Sequence, residues 1–144
     1  MIALDTNILV YAHRLDSPDH AVATARLTEV AETSTAWAIP WSCLHEFVGV
    51  VTNARIFVRP TPLAMALDQV DAWLASPSLV ALAEPESYWQ EFRRVAMVGR
   101  IGGPRVHDAR IAAICLSHGV RELWSADRDF SRFPGLRVVN PLIG

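Results

Sequence analysis

An α/β fold built on a mostly parallel five-stranded sheet, flanked by helices, is what the sequence predicts, and three observations carry that prediction. Short apolar runs of strand length alternate with longer segments of helical spacing along the whole chain, the pattern of strands joined through crossover helices. Five such short runs are present, and no internal repeat or low-complexity stretch interrupts them. The chain has 144 residues, of which 51% are hydrophobic and 19% charged, so residues 1–144 are expected to form one domain with a substantial core.

The first run, Ile2, Ala3 and Leu4, reads as a buried strand, and Thr6 or Asn7 can cap a helix reaching about His13. Ser17-Pro18-Asp19 restarts a helix over about 20–31, with Ala21, Ala25 and Leu27 among its apolar positions. A strand at 36–39 stops at Pro40. Ser42 then caps a helix carrying Leu44, Phe47, Val48 and Val51, apolar on nearly all sides and therefore expected to be deeply packed. After the break at Arg59-Pro60-Thr61-Pro62, Leu63, Leu67, Val70 and Leu74 mark a helix by their spacing. A strand at 79–82 and a helix from about 85 to 98 follow. The glycine-rich, basic loop 99–105 leads into a helix bearing Ile111, Ala112, Cys115 and Leu116, which ends at Gly119. Strands at 122–125 and 137–139 complete the sheet.

Composition excludes several functions. The longest apolar runs, such as Ile8 to Ala12, fall far short of the roughly 18 residues a membrane span needs, and a cytoplasmic location without membrane contact is expected. Cys43 and Cys115 lack metal-ligand spacing and read as small core residues in a reducing compartment. With no lysine in the chain, Walker-type phosphate binding, Schiff-base chemistry and receiver-type phosphoacceptor chemistry are all ruled out. A haloacid-dehalogenase phosphatase would want an aspartate at position 7, which is Asn. Every basic residue is arginine, suited to bidentate phosphate contacts.

The acids are the informative residues. Asp5 is the only formally charged side chain in the first thirteen residues, and Glu46 is the only one between Thr33 and Ala54. Asp5 follows the first strand and Asp127 the fourth, while Glu46 and Asp108 are placed in the first turns of helices entered from the same sheet edge. In open parallel sheets ligands bind beyond the carboxyl ends of the strands, so the four can reach one cleft. Each alone has a plain structural reading: Asp5 can cap a helix, and Asp108 sits where the helix dipole favours an acid by about 0.3–1 kcal/mol. Asp108, however, extends the face of Ile111, Ala112 and Cys115, which points to the core. Carboxylates brought within about 5 Å repel by roughly 3 kcal/mol per pair at an effective dielectric near 20, so a cluster needs a cation. An all-oxygen donor set favours Mg²⁺ or Mn²⁺, and phosphodiester chemistry follows.

Asp5-Thr6-Asn7 after the first strand, the isolated Glu46, His107-Asp108-Ala109-Arg110-Ile111-Ala112-Ala113 and Ser125-Ala126-Asp127-Arg128-Asp129-Phe130 occur in the order and spacing of PIN-domain ribonucleases. The chain resembles VapC-type toxins of toxin–antitoxin pairs over essentially its whole length. The resemblance implies a PIN-like sandwich and a Mg²⁺- or Mn²⁺-dependent endoribonuclease with Asp5, Glu46, Asp108 and Asp127 as the acidic quartet. It also implies a small VapB-like antitoxin partner and a homodimer. Ser125 stands where the family usually has threonine; Asp129 could replace or assist Asp127, and Asp127 is placed first because it follows the strand sooner.

Thr6 and Asn7 are candidate supporting residues, and Arg100, Arg105 and Arg110 are candidate RNA-phosphate contacts. His45 and His107 adjoin the acids but point about 100° away on their helices, so structural roles are expected. Trp73 and Trp89 are read as packing residues, and Trp37, Trp41 and Trp124 as core. The competing functions are a PIN-fold RNA- or protein-binding module without useful catalysis, and a stand-alone RNA-processing nuclease.

Overall fold

A computed structural model describes all residues except 34, 129, 131, 132 and 144. Its five strands, β1 (Ile2–Leu4), β2 (Trp37–Pro40), β3 (Leu79–Leu82), β4 (Glu122–Trp124) and β5 (Arg137–Val139), form one sheet in the order β3-β2-β1-β4-β5, with every neighbouring pair parallel. The helices are α1 (Thr6–His13), α2 (His20–Glu32), α3 (Trp41–Val51), α4 (Leu63–Leu74), α5 (Tyr88–Gly99) and α6 (Val106–Ser117). A 3-10 turn, Gly103–Arg105, leads directly into α6.

The sheet order puts β1 in the middle. A parallel central strand is covered on both faces, which explains why Ala3 and Leu4 are fully buried and why the run is apolar without alternation. Beneath it α6 is buried continuously from Ile111 to Leu116, and its small residues Ala109, Ala112 and Ala113, all inaccessible, let the helix lie close to the sheet. Gly119, at φ +73°, ends α6 in the left-handed conformation that a side chain disfavours.

Three expectations shift. Asp5 itself caps α1, its side chain accepting from the Thr6 N–H, so the cap lies one residue before Thr6 and two before Asn7. α3 starts at Trp41, with Pro40 at the cap position, so Ser42 lies inside the helix and Glu46 in its second turn. α3 also is not packed all round. Cys43, Leu44, Phe47 and Val51 are buried, but Trp41, His45, Glu46 and Gly49 face outward, because one side of the helix has no layer above it. Trp41 is 38% and Trp89 66% exposed, so neither is core, whereas Trp37, Trp73 and Trp124 are buried as expected.

Phe47 sets the roll of α3. Its ring is inaccessible and packs edge-on against Trp73 of α4, centroids 4.7 Å apart, and against His13 at 5.2 Å. With Phe47 inward, Glu46 must lie on the flank of the helix. Phe47→Ala is expected to destabilise the protein by about 3–5 kcal/mol through cavity formation, measurable as a lowered midpoint in urea unfolding.

Candidate metal and phosphodiester site

The acidic site begins with the exit of the chain from the central strand. Asp5 N–H donates to the carbonyl of Trp124 at 3.0 Å, continuing the β1–β4 ladder by one residue, and the next residue enters α1. The carboxylate is therefore held at the carboxyl edge of the sheet, only 5% exposed. Its oxygens are provided with donors from several segments. Thr6 N–H donates to Oδ1 at 2.7 Å, and the Cys43 thiol of α3 stands 3.8 Å from the same oxygen. Ser125 Oγ donates to Oδ2 at 2.7 Å and Asn7 Nδ2 at 3.3 Å.

Ser125 is locked in this role. Its oxygen accepts from Asp127 N–H at 2.9 Å and from Asn7 Nδ2 at 3.3 Å, so both lone pairs are used and its single proton is directed at Asp5. Asn7 Oδ1 accepts from Ala126 N–H at 3.2 Å and ties α1 to the turn after β4. Ser125 is thus restrained by three hydrogen bonds.

Asp5, Glu46, Asp108 and Asp127 all line one cavity of about 330 Å³, together with Thr6 and Asn7. The rest of its lining is apolar or aromatic, with Val10, Tyr11, Val50, Ile56, Phe57 and Ile111. Asp108 is half-buried in the first turn of α6, and Asp127 is half-buried two residues after Ser125. Glu46 is exposed, contrary to the deep packing expected of its helix. Asp129 lies outside the described residues. A second cavity of about 290 Å³, lined by Met1, Ile2, Arg26, Glu29 and Trp124 among others, sits at the amino end of β1 and gathers no group of acids.

The electrostatics match a cation site. Burial, with the charges of Glu46 and Asp108 adding to it, pushes the Asp5 carboxyl from 3.8 up to about 6, against the lowering effect of the Ser125 and Thr6 hydrogen bonds. Burial and the charge of Asp5 push the Cys43 thiol well above its ordinary range, so it meets Asp5 as a neutral donor. Among the described residues no three His, Cys, Asp or Glu side chains already enclose a metal-sized point. The donor set itself fits a hard divalent cation: carboxylate oxygens from four segments, with neither buried cysteine in the cavity lining.

The arginines divide. Arg110 is paired with Glu84, Nε to Oε1 2.6 Å, and lines a different cavity with Trp41 and Ser42, so it does not flank the acids. Arg100 is exposed at the C-cap of α5 with φ +52°, and Arg105 is half-buried in the 3-10 turn before α6. Tyr11 and Phe57 escape sequence reasoning. Tyr11 lies one turn beyond Asn7 on α1, a spacing that could have shown it, whereas Phe57 is in an irregular loop with no periodic signal.

A raised carboxyl pKa means that the fold favours the protonated form. The corresponding stability is fully present below pH 3.8 and is lost as pH rises through about 6, a change of about 3 kcal/mol. Asp5→Asn removes this penalty but puts an amide NH2 where Oδ2 accepted from both Ser125 Oγ and Asn7 Nδ2, forfeiting two hydrogen bonds of about 1 kcal/mol each. In chelator at pH 7.5 the variant is therefore expected to be more stable than the parent by about 1 kcal/mol. Below pH 4 it should be equal or less stable, as checked by urea unfolding across pH.

The PIN domain family profile matches residues 2–136. Ribonuclease VapC43 of Mycobacterium tuberculosis is 40% identical over 144 residues, covering all of this chain and 97% of the relative, and the VapC ribonuclease Mb2897 of Mycobacterium bovis matches equally. Among solved structures, VapBC2 from Rickettsia felis bound to a DNA fragment from their promoter superposes with a TM-score of 0.70 at 21% identity, covering 96% of this chain and 98% of that one. Mycobacterium tuberculosis VapC20, described as a sarcin-ricin loop cleaving toxin, gives 0.67 at 18%, covering 95% and 99%. The strand order, the acids gathered at the carboxyl edge and these likenesses agree: the chain belongs to the PIN domain family.

Proposed function

We propose that this chain is a Mg²⁺- or Mn²⁺-dependent endoribonuclease and the toxin of a cytoplasmic toxin–antitoxin pair. The observation that carries the reading is the convergence of Asp5, Glu46, Asp108 and Asp127 on one cavity at the carboxyl edge of the sheet, in a chain 40% identical to VapC ribonucleases over its full length. PIN ribonucleases in general use divalent metals; the finer assignment to Mg²⁺ or Mn²⁺ rests on the all-oxygen donor set. Asp5, Asp108 and Asp127 would hold the ion, with Glu46 as a further ligand. When bound, such a cation supplies positive charge at the scissile phosphate and a lowered pKa for the attacking water.

The protein's own groups do the positioning. Ser125, Asn7 and the Thr6 N–H keep both Asp5 oxygens oriented, and the Ser125–Asp127 N–H bond sets Asp127 beside them. Glu46, exposed on the flank of α3, would serve either as that further ligand or to orient an incoming water. Arg100 and Arg105 are proposed as phosphate contacts; Arg110, engaged by Glu84, is the weakest of the three arginine candidates. Single-stranded or looped RNA is the expected substrate, because its backbone can enter a cleft.

A VapB-like antitoxin is the proposed partner. Leu44, Phe47 and Val51 are buried and unavailable as its anchors, so its apolar footprint is proposed over the exposed Val58, Leu63, Met65 and Leu67. A homodimer is proposed over α5, which exposes Trp89, Met97 and Val98. No helix among the described residues is long and apolar enough to cross a membrane.

Asp5→Asn and Asp108→Asn are each expected to lower RNA cleavage by at least about 100-fold with the fold retained. Asp127→Asn should lose more activity than Asp129→Asn. Cleavage should stop in EDTA, return with Mg²⁺ or Mn²⁺, and leave 5′ phosphate and 3′ hydroxyl ends. Cyclic-phosphate ends, or undiminished cutting in chelator, would remove the carboxylates from the reaction. Co-expression with a cognate antitoxin should give a soluble complex that leaves RNA intact.

A further inference from the structure

We propose that the apolar flank of the acidic cavity, Tyr11, Ile56 and Phe57, is a subsite for one unstacked RNA base next to the scissile phosphate. The inference rests on the ribonuclease reading and deepens it. Binding and hydrolysing a phosphodiester needs only the carboxylates of the cavity, yet its lining also includes two aromatic residues, Tyr11 and Phe57, and aliphatic side chains. Ile56 is 54% exposed, and Tyr11 and Phe57 are half-buried, so the wall is neither sealed core nor open surface.

The wall is braced before any ligand arrives. Arg14, buried at the end of α1, places its guanidinium 4.0 Å from the centroid of the Phe57 ring. That guanidinium is held by Asp16, Nε to Oδ1 2.9 Å, by the carbonyl of Arg59 at 2.8 Å and by Thr61 Oγ1 at 3.3 Å. The loop is turned on Asn53, whose carbonyl accepts from the Ile56 and Phe57 N–H groups at 3.1 and 3.0 Å and whose side chain accepts from Arg55 N–H at 2.8 Å. Thr61 N–H closes it on the Val51 carbonyl at 2.7 Å. A ring fixed in this way loses little freedom on contact, which is what a stacking platform requires.

Charge and size select the occupant. Arg14 is neutralised by Asp16, so the flank offers flat apolar contact and no phosphate contact. A nucleotide carries both required parts in one covalent unit, an anion for the cation-bridged carboxylates and a planar base for the rings. About 330 Å³ lies at the small end of ligand pockets, the scale of one nucleotide. Stacking is sequence-tolerant, so the flank would demand an unpaired base without reading its identity strictly.

The test uses the full chain with Mg²⁺ and a single-stranded RNA oligonucleotide cut at one bond, alongside versions in which each flanking nucleotide is replaced by abasic ribose. One abasic replacement should raise KM about 5- to 100-fold, the worth of one stacked base, while kcat stays within about two-fold. Phe57→Leu and Tyr11→Leu should raise KM for intact RNA similarly, and the abasic change should then add little. Phe57→Tyr should keep the parental KM. On the inactive Asp5→Asn protein, RNA carrying 4-thiouridine next to the bond should cross-link to Tyr11 or Phe57. Unchanged KM in the leucine variants, or a full abasic penalty on top of theirs, overturns the subsite and leaves the nuclease standing. Variants that cut normally but escape the antitoxin overturn it in favour of a protein-docking wall. A parent chain that cuts no single-stranded RNA with Mg²⁺ overturns the ribonuclease reading, and the subsite with it.

Discussion

Desolvation of one carboxylate organises this molecule. Asp5 stands at the end of the central strand, where parallel neighbours on both sides and helices on both faces remove it from water. An isolated buried carboxylate would be costly or would simply protonate. Here the cost is offset by donors that the fold itself brings in: the first N–H of α1, the amide of Asn7, and the hydroxyl of Ser125 from the end of β4. The same pairing of β1 with β4 that builds the sheet therefore builds the site. Loss of that register would separate Asp5 from Ser125 and Asp127 together.

The donors do not cancel the repulsion. Three of them satisfy Asp5 locally, yet its carboxyl still titrates near 6, because burial and the neighbouring charges of Glu46 and Asp108 outweigh them. A fold selected only for stability would replace at least one of these acids. Four acids beside one cavity, one of them buried, are an arrangement that a bound positive charge would stabilise.

Much of this was legible in the sequence, for identifiable reasons. Short apolar runs separated by helix-length segments reported the strands of a sheet covered on both faces, and β1, β3 and β5 fall where the runs placed them. The acids were legible because a charge in an apolar stretch is conspicuous. What failed was exposure. Trp41 and the outer face of α3 look like core by composition, but whether a helix carries a second layer above it depends on topology, which periodicity does not report. Arg110 was legible as a cation near Asp108, but not its capture by Glu84, 26 residues away. Phe57 was invisible because its place is set by Asn53, Arg14 and Thr61 acting together, a tertiary arrangement without a linear signature.

The repulsion among the acids also bears on control. On the proposed reading, a partner that inserts a cationic side chain into the cavity relieves the same repulsion that a divalent cation relieves. Two ligands competing for one electrostatic deficit must be antagonistic, and linkage makes the antagonism reciprocal: the factor by which metal weakens the partner equals the factor by which the partner weakens metal. Asp5, with its carboxyl raised by burial and further by the charges of Glu46 and Asp108, is where that coupling should concentrate. Mg²⁺ titrated into a toxin–antitoxin complex should raise the antitoxin dissociation constant, and Asp5→Asn should flatten that dependence. A dissociation constant indifferent to Mg²⁺ in the parent protein would mean that the partner inhibits from outside the cavity, by covering the exposed apolar surface of α4 and the loop before it.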